Sequence, residues 1–423
     1  MADKSFGVKD INLIGASGTP EIESPNNLNI KATNVAISTD MSIGGELTVT
    51  DTFLKPQAVG LGTTTATGRD AGISTATGTI IYIPAVGMQV YAGSEGGWKT
   101  IADTASSSTP ITATGGNIVT STYAEDGLNY KAHIFTSSGA FNVTALGTFG
   151  NTVEYLVIAG GGGGGSEGST RGGGGGAGGY RTNVPAPIGP GSHTTSATLA
   201  VSVASYTVTV GGAGAGNSSG QGADGVDSVF GSITSSGGGG GGQGSQDSPP
   251  ANEGRDGGSG GGGGSTAGPN ATEPGGDTIA VTTPGPWPGP ATQGFAGGVG
   301  QHASGSWAAG GGGGGAGEVG HAAQHPNTTS GDGGDGLSNL IAGPSNTDVG
   351  VVNPASPGRW FAGGGAGIHF GGGLSVGGAG GGGSTSYPGT GDAGTVNTGG
   401  GGASGSGGGS GGSGIVIVRY RVE

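Results

Sequence analysis

The chain contains no cysteine, so it has neither a disulfide framework nor a thiolate metal site. Only 9% of its 423 residues are charged, and lysine does not occur after Lys131. The formal net charge is −14, and the part beyond residue 150 carries six arginines against fifteen carboxylates. This balance excludes the basic surface that binds phosphate backbones, and we therefore expect no nucleic-acid partner.

Long apolar segments are also missing. No stretch is long enough to span a membrane, and the start, MADKSFGVKDINLIG, lacks the apolar stretch of a signal peptide. We therefore expect no membrane insertion, and synthesis in a cytoplasm that the protein leaves, if at all, by a route such as cell lysis. No segment shows apolar residues at a 3.6-residue period, so the sequence predicts an all-β, fibrous fold with essentially no α-helix.

Glycine is the residue in excess. It accounts for 111 residues, of which 91 lie beyond residue 150, and many form uninterrupted runs such as 160–165, 237–242 and 310–315. A run without side chains cannot build an ordinary core, so it is either a flexible linker or part of a fold held by backbone hydrogen bonds. Runs of five or six glycines exclude the Gly-X-Y repeat of collagen.

The ordered alternative is a bundle of packed polyglycine helices of the polyproline II type. Such a helix has three residues per turn and points its N–H and C=O groups sideways, where close neighbours without Cβ atoms can pair with them. The glycine-rich region is bracketed by two strongly strand-like segments, VEYLVIA at 153–159 and IVIVRYRV at 415–422. A disordered tail would not need such an ending, so we favour the bundle over the flexible linker.

Three regions follow one another along the chain. Residues 1–54 contain short alternating apolar pairs and predict an N-terminal attachment region and β shaft in which several chains close one another's edges. An extended arm on a partner protein is the alternative for this region. Residues 55–109 predict a connector and a small meander of three strands around Ile81, Met88 and Trp98. Residues 110–423 predict the glycine-rich head domain, with strands at 153–159 and 415–422 as its boundaries.

The head domain contains further strand patterns. Residues 130–134 and 141–143 alternate on either side of a turn at 137–139 and predict a hairpin. Residues 199–203 and 206–210 predict a second hairpin about Ala204 and Ser205, although Ala-Ser is a poor sequence for a two-residue turn. Residues 229–233 predict one more short strand.

Patterns that carry chemistry are sparse. His321 and His325 have the spacing of two metal ligands on a helix, but the flanking glycine and proline disfavour a helix, so we interpret them as exposed loop histidines. GDGGDG at 331–336 resembles a calcium-binding turn, but such turns work as stacked repeats, so an ordinary turn is expected. We expect no metal, no cofactor and no enzymatic activity. The alternative is a glycan hydrolase, in which two carboxylates far apart in the sequence would come together only in the folded protein.

Aromatic residues isolated in loops are the candidate contact residues. Tryptophan and tyrosine are enriched at recognition hot spots, aromatic faces stack on sugar rings, and loops of Tyr, Ser, Gly and Asn share the chemistry of antibody paratopes. The alternative is that each ring folds back to cover the edge of the glycine bundle. The candidates are Trp287, Trp307, Trp360, Phe361 and Tyr387.

Several segments carry a family resemblance. The glycine-rich region resembles that of phage tail-fibre and adhesin proteins through the order KAHIFTSSGAFNV, VEYLVIAGGGGGG, RGGGGGAGGYR, SYTVTVGGAGAG, DSVFGSITSSGGGGGG and GSGIVIVRY. Fibre segments of T4-like phages of marine cyanobacteria are similar to IESPNNLNIKATNVAISTDMSIGGELTV and GTIIYIPAVGMQVYAGSEGGWKTIA. These matches run from residue 22 to residue 420 and so extend over most of the chain, whereas the long loops between the glycine runs match no known segment.

The resemblance implies a sandwich of polyglycine helices whose loops touch a host surface. It implies a homotrimeric tail fibre or adhesin, assembled in the host cytoplasm, that attaches to other tail, neck or baseplate proteins of the virion through its N-terminal region. The partner on the host would be a surface glycan or an outer-membrane protein. The alternatives are a purely structural neck or baseplate appendage without receptor binding, and a bacterial glycine-rich surface adhesin.

Overall fold

The computed structural model describes residues 80–83, 87–91, 98–100, 109–168, 170–184, 198–245, 251–268, 270–280, 292–303, 307–324, 331–354, 358–371 and 373–422. The chain divides into two compact units, residues 1–101 and residues 102–423. The predicted shaft at 1–54 lies outside the described residues. Every helix or strand assigned in these ranges is a β-strand, which confirms the all-β prediction, and none of their segments is a helix able to cross a membrane.

The first unit contains the predicted meander. Its strands are β1 (Ile80–Ile83), β2 (Gly87–Tyr91) and β3 (Trp98–Thr100). They pair in the order β1–β2–β3, with Ile81 opposite Gln89 and Gln89 opposite Thr100. All neighbours are antiparallel, so the three-strand prediction for this segment is confirmed.

Within its described residues, the second unit contains twenty further strands, most of them short. They are β4 (Thr112–Thr114), β5 (Ile118–Val119), β6 (Tyr123–Glu125), β7 (Leu128–Phe135), β8 (Gly139–Ala145), β9 (Thr152–Ile158), β10 (Tyr180–Thr182), β11 (Leu199–Ala200), β12 (Ser205–Thr209), β13 (Ser228–Phe230), β14 (Ile233–Ser235), β15 (Ala271–Glu273), β16 (Gly300–His302), β17 (Ala308–Ala309), β18 (Leu337–Asn339), β19 (Val351–Val352), β20 (Arg359–Phe361), β21 (Leu374–Ser375), β22 (Thr385–Ser386) and β23 (Ile415–Arg421).

A central sheet with the order β10–β9–β23–β7–β5 organises the non-glycine part of this unit. One face packs Leu156 and Ile417 against the sheet β18–β20–β19, and the other packs Val157 and Val416 against the sheet β14–β13–β12–β8–β4. Both faces are therefore buried. This explains why β9 and β23 are continuous apolar runs and do not alternate, as buried strands generally do not.

Both predicted hairpins are wrong. Strand β7 pairs with β23 in the central sheet, whereas β8 pairs with β12 and β4 in the second sheet. Likewise, Leu199 of β11 lies opposite Val153, and Tyr206 of β12 lies opposite Phe141. In each case the residues between the strands carry the chain from one sheet to the other, because burial between the sheets outweighs local pairing. The single strand predicted at 229–233 is a hairpin of β13 and β14 around Gly231.

The glycine runs form ordered helices with three residues per turn. In the run 160–165, which directly follows β9, successive N–H groups donate to three different neighbouring segments, and the pattern repeats every third residue. The bonds are 2.9–3.0 Å long and run from Gly160 to Val226, Gly161 to Gly412, Gly162 to Gly176, Gly163 to Ala223, Gly164 to Gly409 and Gly165 to Gly173. This period identifies the polyglycine helix, and the predicted bundle is confirmed.

We call each crossing of the bundle by such a helix a pass. The carbonyl groups of the pass 160–165 accept hydrogen bonds from three more passes, through Gly238, Gly214 and Gly402. The six surrounding passes also bond to one another in a closed ring, through the pairs Gly225–Gly238, Gly176–Gly239, Gly175–Gly402, Gly409–Ala403, Gly411–Gly214 and Val226–Gly212. The packing is therefore hexagonal, and the backbone satisfies its own polar groups without a side-chain core.

These passes require glycine because neighbouring backbones approach one another too closely to leave room for a Cβ atom. A Cβ atom on Gly160 would lie 1.9 Å from the carbonyl oxygen of Gly212, and one on Gly162 would lie 2.2 Å from that of Gly239. Neither glycine has a positive φ, so any residue could adopt its backbone conformation. The neighbouring carbonyl oxygen, and not the backbone angle, excludes every side chain.

The two ends of the bundle differ. We call the end beside β9, where Gly160 begins its pass, the sheet end. At the opposite end, which we call the loop end, Ser166 bonds to Gly220 and accepts from Gly244, and Ser265 donates to the carbonyl of Arg171. Successive passes begin and end at these two ends of the bundle.

Aspartates spaced by three residues close the edge of the bundle. In the segment 331–336, Asp332 Oδ1 accepts from the N–H of Val376 and Asp335 Oδ1 accepts from that of Ala379. The segment GDGGDG is therefore a pass of the bundle, and the turn predicted there is wrong. A threefold helix returns each third side chain to the same face, which places both carboxylates against one neighbour. Asp224 and Asp227 do the same for the N–H groups of a second neighbour.

Candidate functional site

The five aromatic candidates do not share one surface. Trp287 lies outside the described residues, and the flanking Ala280 and Thr292 form a bridge next to the sheet end, where Ile279 bonds to Gly257. Trp360 and Phe361 lie in β20, also at the sheet end, and are only 4% and 1% exposed. Phe361 belongs to the core between the sheets, so these two rings offer almost no surface to a ligand in this chain.

The other two candidates, Trp307 and Tyr387, are half-buried residues at the loop end. Trp307 precedes β17, and Ala309 of that strand forms a bridge with His369. Tyr387 follows β22 and stacks on Phe370, with ring centroids 5.7 Å apart and an interplanar angle of 29°. The loop end therefore gathers aromatic side chains from distant parts of the sequence.

A buried guanidinium backs both stacked rings. Arg171 Cζ lies 5.0 Å from the centroid of Phe370 and 4.4 Å from that of Tyr387, within the range of cation–π attraction. Arg171 Nη1 donates to Glu167 Oε1 at 2.7 Å, and the two side chains are 8% and 16% exposed. The ion pair compensates the burial of both charges and fixes the guanidinium under the rings.

The local fold explains this position of Arg171. The residue ends the connection that turns the chain back after the pass 160–165, and it stands directly before the run 172–176. Its backbone N–H donates to Ser265 Oγ, while the hydroxyl of Thr170 donates to the carbonyl of Ser265. Because hydrogen bonds to the bundle hold the backbone at Arg171, the position from which its side chain extends at the loop end is fixed.

His369 lies directly beside this cluster and is 5% exposed. Burial lowers its pKa; Asp332 opposes this effect, and the charge of Arg171 adds to it. A Cβ atom on Gly371 would lie 3.3 Å from the imidazole, and one on Gly373 would lie 3.1 Å from it. The imidazole is therefore neutral near neutral pH, and it packs closely against one side of the cluster.

The surroundings of the cluster are apolar and exposed. Phe370 is 43% exposed, Leu374 66% and Val376 49%. Leu374 lies in β21, which pairs with β22 directly before Tyr387. We call Arg171, Glu167, His369, Phe370 and Tyr387 the aromatic cluster. It presents ring surface beside exposed aliphatic groups, and its one buried cation already has a carboxylate partner.

A second charged group lies within the sheets. Arg419 of β23 bonds to Glu125 at 2.6 Å and to Glu154 at 2.5 Å, and its Cζ lies 4.2 Å from the ring centroid of Tyr130. The side chain is only 3% exposed; burial lowers its pKa, but Glu125, Tyr123 and Glu154 together raise it above its ordinary value. All its charges are paired, so this network joins β23, β9 and β6 and is structural.

The described residues contain no group of three or more His, Asp or Glu side chains that could hold a metal ion. His321 Nε2 lies 3.3 Å from Glu318 Oε1 on an exposed pass, and His325, its predicted partner, lies outside the described residues. The sequence singles out Tyr387 but not Phe370 or Arg171. The only signal for either was its place next to a glycine run, because the contact joins residues far apart in the sequence.

The second unit is a sandwich of β-sheets that carries a hexagonal bundle of polyglycine helices. Residues 136–421, about two thirds of the chain, match the family described as a glycine-rich domain, and the chain belongs to this family. The matched segment begins directly after β7 and ends with β23, so it contains every glycine run. No curated protein shows significant sequence similarity to the chain.

Proposed function

We propose that the chain is a non-enzymatic structural protein of a phage virion, a tail fibre or receptor-binding adhesin. It recognises the host cell surface through the connections between its glycine runs. The N-terminal region joins it to other tail, neck or baseplate proteins, and the chain works as a homotrimer assembled in the host cytoplasm. The sequence resemblance to tail-fibre and adhesin proteins motivates the virion assignment, and the glycine-rich domain family is compatible with it.

The observation that carries the recognition role is the aromatic cluster at the loop end. A binding surface needs rigid anchors, because ordering flexible side chains on binding costs free energy. Here the anchors stand at the end of a hydrogen-bonded bundle, and Phe370 remains 43% exposed although it stacks on Tyr387. Exposed aromatic residues on a rigid support are typical of recognition hot spots.

The proposal is tested on virions and on host cells. Mass spectrometry should find the chain in purified virions, and an antibody against residues 358–390 should label the outer end of an appendage. The purified full-length chain should also compete with virions for adsorption to the host. A chain absent from virions would contradict the proposal and favour a bacterial surface adhesin.

Two variants distinguish a receptor-binding protein from a purely structural appendage. Tyr387→Ala should weaken the competition for adsorption by about tenfold, the scale of one hot-spot residue. The matched control is Val396→Ala, because Val396 is 68% exposed and follows Thr395, whose N–H bonds to Gly381 at the sheet end. Equal competition by both variants and the parent would favour a neck or baseplate appendage that touches no receptor.

A further inference from the structure

Phe370 and Tyr387 form a two-ring surface whose support is already in place. The ring centroids are 5.7 Å apart, and the guanidinium of Arg171 lies within 5.0 Å of both centroids. Arg171 is itself fixed by Glu167, and His369 is packed between glycines next to Phe370. The rings therefore need little reorganisation before a flat, partly apolar ligand can stack on them.

Charge decides which ligand this surface accepts. The chain has a net charge of −14 and no lysine after Lys131. Arg171 already has a carboxylate partner, and the other five arginines of the glycine-rich region bond elsewhere. Those partners are the carbonyl of Thr234 for Arg181, Asp224 for Arg255, the carbonyl of Val349 for Arg359, Glu125 and Glu154 for Arg419, and the ring of Phe149 for Arg421.

A phosphate, sulfate or uronate group would therefore meet no uncommitted arginine at the aromatic cluster, and the net negative charge of the chain would repel it. A neutral sugar ring meets neither penalty. It has an apolar C–H face that can stack on an aromatic ring, and hydroxyl groups that can bond to the polar backbone of the surrounding connections. Two buried nitrogens of the cluster, Arg171 Nε and His369 Nδ1, also have no hydrogen-bond partner within the described residues.

We propose that the aromatic cluster binds neutral pyranose rings of a host surface glycan by stacking them on Phe370 and Tyr387. This inference rests on the proposed recognition function and names its ligand class. It excludes anionic polysaccharides as the main ligand. It also predicts that the sugar, and not a receptor protein, supplies the contact at this cluster.

The test measures binding of the purified full-length chain to immobilised oligosaccharides. The neutral probes are maltohexaose, mannohexaose and xylohexaose, and the anionic probes are oligogalacturonate and heparin fragments. We expect binding to at least one neutral probe and none to the anionic probes at physiological salt. Phe370→Ala and Tyr387→Ala should each weaken neutral-sugar binding by about tenfold or more.

Two controls keep the test specific. Phe370→Tyr preserves the aromatic ring and should bind the sugar within about twofold of the parent. Val396→Ala, at the sheet end, should not change binding. Melting curves of the Phe370 variants and of Val396→Ala should match that of the parent, since both side chains are substantially exposed, and the melting curve of Tyr387→Ala shows that the variant is folded under the binding conditions. Equal sugar binding by the parent and the two alanine variants would overturn the inference.

Other outcomes separate this inference from the proposed function. Binding only to anionic probes, or to none of the probes, overturns the neutral-glycan inference. Binding to purified outer-membrane proteins of the host without any sugar binding also overturns it, while the recognition function stands. A chain that is absent from virions overturns the proposed function, whatever the sugar experiment gives.

Discussion

Ile158 and Ile415 lie opposite each other in neighbouring antiparallel strands, although one ends the strand before the first glycine run and the other begins the strand after the last. Both side chains are fully buried in the same core. The chain therefore leaves the central sheet for the glycine-rich bundle and returns to the sheet at the same place. The pairing of β9 with β23 closes the bundle at its base.

Because β23 closes the bundle, substitutions of its buried residues should strongly lower the stability of the protein. Ile417 is fully buried and lies opposite Leu156 on one side and Ile134 on the other. Ile417→Ala should lower the free energy of unfolding by about 2–5 kcal/mol, because it removes buried methyl groups and leaves a cavity. Chemical denaturation of the full chain measures this. The exposed Val396→Ala should change stability by less than about 0.5 kcal/mol, and equal losses in both variants would contradict the assignment of the core.

Adjacent glycines should respond oppositely to alanine. A Cβ atom on Gly211 would lie 1.9 Å from the carbonyl oxygen of Val226, whereas Gly212 has no atom within 4 Å of such a position. Gly211→Ala should therefore cost more than about 1 kcal/mol, and Gly212→Ala should be neutral or slightly stabilising. Thermal melts of the two variants give the comparison. Gly239→Ala and Gly312→Ala should behave like Gly211→Ala.

If Gly211→Ala, Gly239→Ala and Gly312→Ala all left the melting temperature unchanged, the packed bundle would be contradicted. The clash distances are 1.8 Å for Gly239, to the carbonyl oxygen of Arg255, and 1.9 Å for Gly312, to that of Asp332. Both oxygens belong to backbone that itself bonds to further passes. A methyl group there would have to move several helices, so the penalty extends beyond the substituted residue.

The edge aspartates should act as backbone acceptors. Asp335→Ala leaves the N–H of Ala379 without its acceptor and should cost about 1–2 kcal/mol. Asp335→Asn keeps an acceptor oxygen and should cost less. The exposed Asp348→Ala serves as the control and should be nearly neutral. Hydrogen exchange of the Ala379 amide should accelerate in the alanine variant, and unchanged protection would show that the carboxylate is not its partner.

Alkaline pH should destabilise the second unit through Tyr123. Burial raises the pKa of Tyr123 from 10.0 to about 12, with Glu125 and Glu154 adding to the shift and Arg419 opposing it. A raised folded-state pKa stabilises the protein below the unfolded value, and this contribution is lost as pH rises from about 10 through 12. The free energy of unfolding should therefore fall over this window.

Tyr123→Phe is the variant that isolates this effect. It removes the hydroxyl that donates to the carbonyl of Ile341, so stability at neutral pH should fall by about 1 kcal/mol. The decline between pH 10 and 12 should become shallower but persist in part, because burial also raises the pKa of Tyr180. Urea titrations at several pH values measure both quantities. An equally steep decline in parent and variant would contradict the role of Tyr123.

The sequence predicted the parts of this fold that depend on local geometry. Glycine runs permit only a few ordered structures, and the apolar runs that became β9 and β23 could be recognised as strands. The connections at 137–139 and 204–205 were not predictable in the same way. Their residues resemble hairpin turns, but the choice between pairing locally and crossing to another sheet depends on the packing of Phe141 and Val208 in a core that forms only in three dimensions.

The candidate site was predictable only in part, for a related reason. Tyr387 stood out as a tyrosine isolated between glycine runs, but its partners Arg171 and Phe370 reach it through the packing of separate passes. Trp360 looked equally isolated in the sequence and proved to be buried. A period of three in the aspartates of GDGGDG would have identified that segment as a pass, because a threefold helix repeats its faces at that spacing.

Hexagonal packing also governs how the length of this protein can change. A single residue inserted into a pass would rotate everything after it by a third of a turn and shift every following hydrogen bond. Insertion of three residues restores the orientation of the helix. A whole additional pair of passes on an outer edge returns the chain to the end from which it left, and the closure at Ile158 and Ile415 stays intact. Proteins of this architecture can therefore gain or lose entire connections between passes while the sheets remain unaltered.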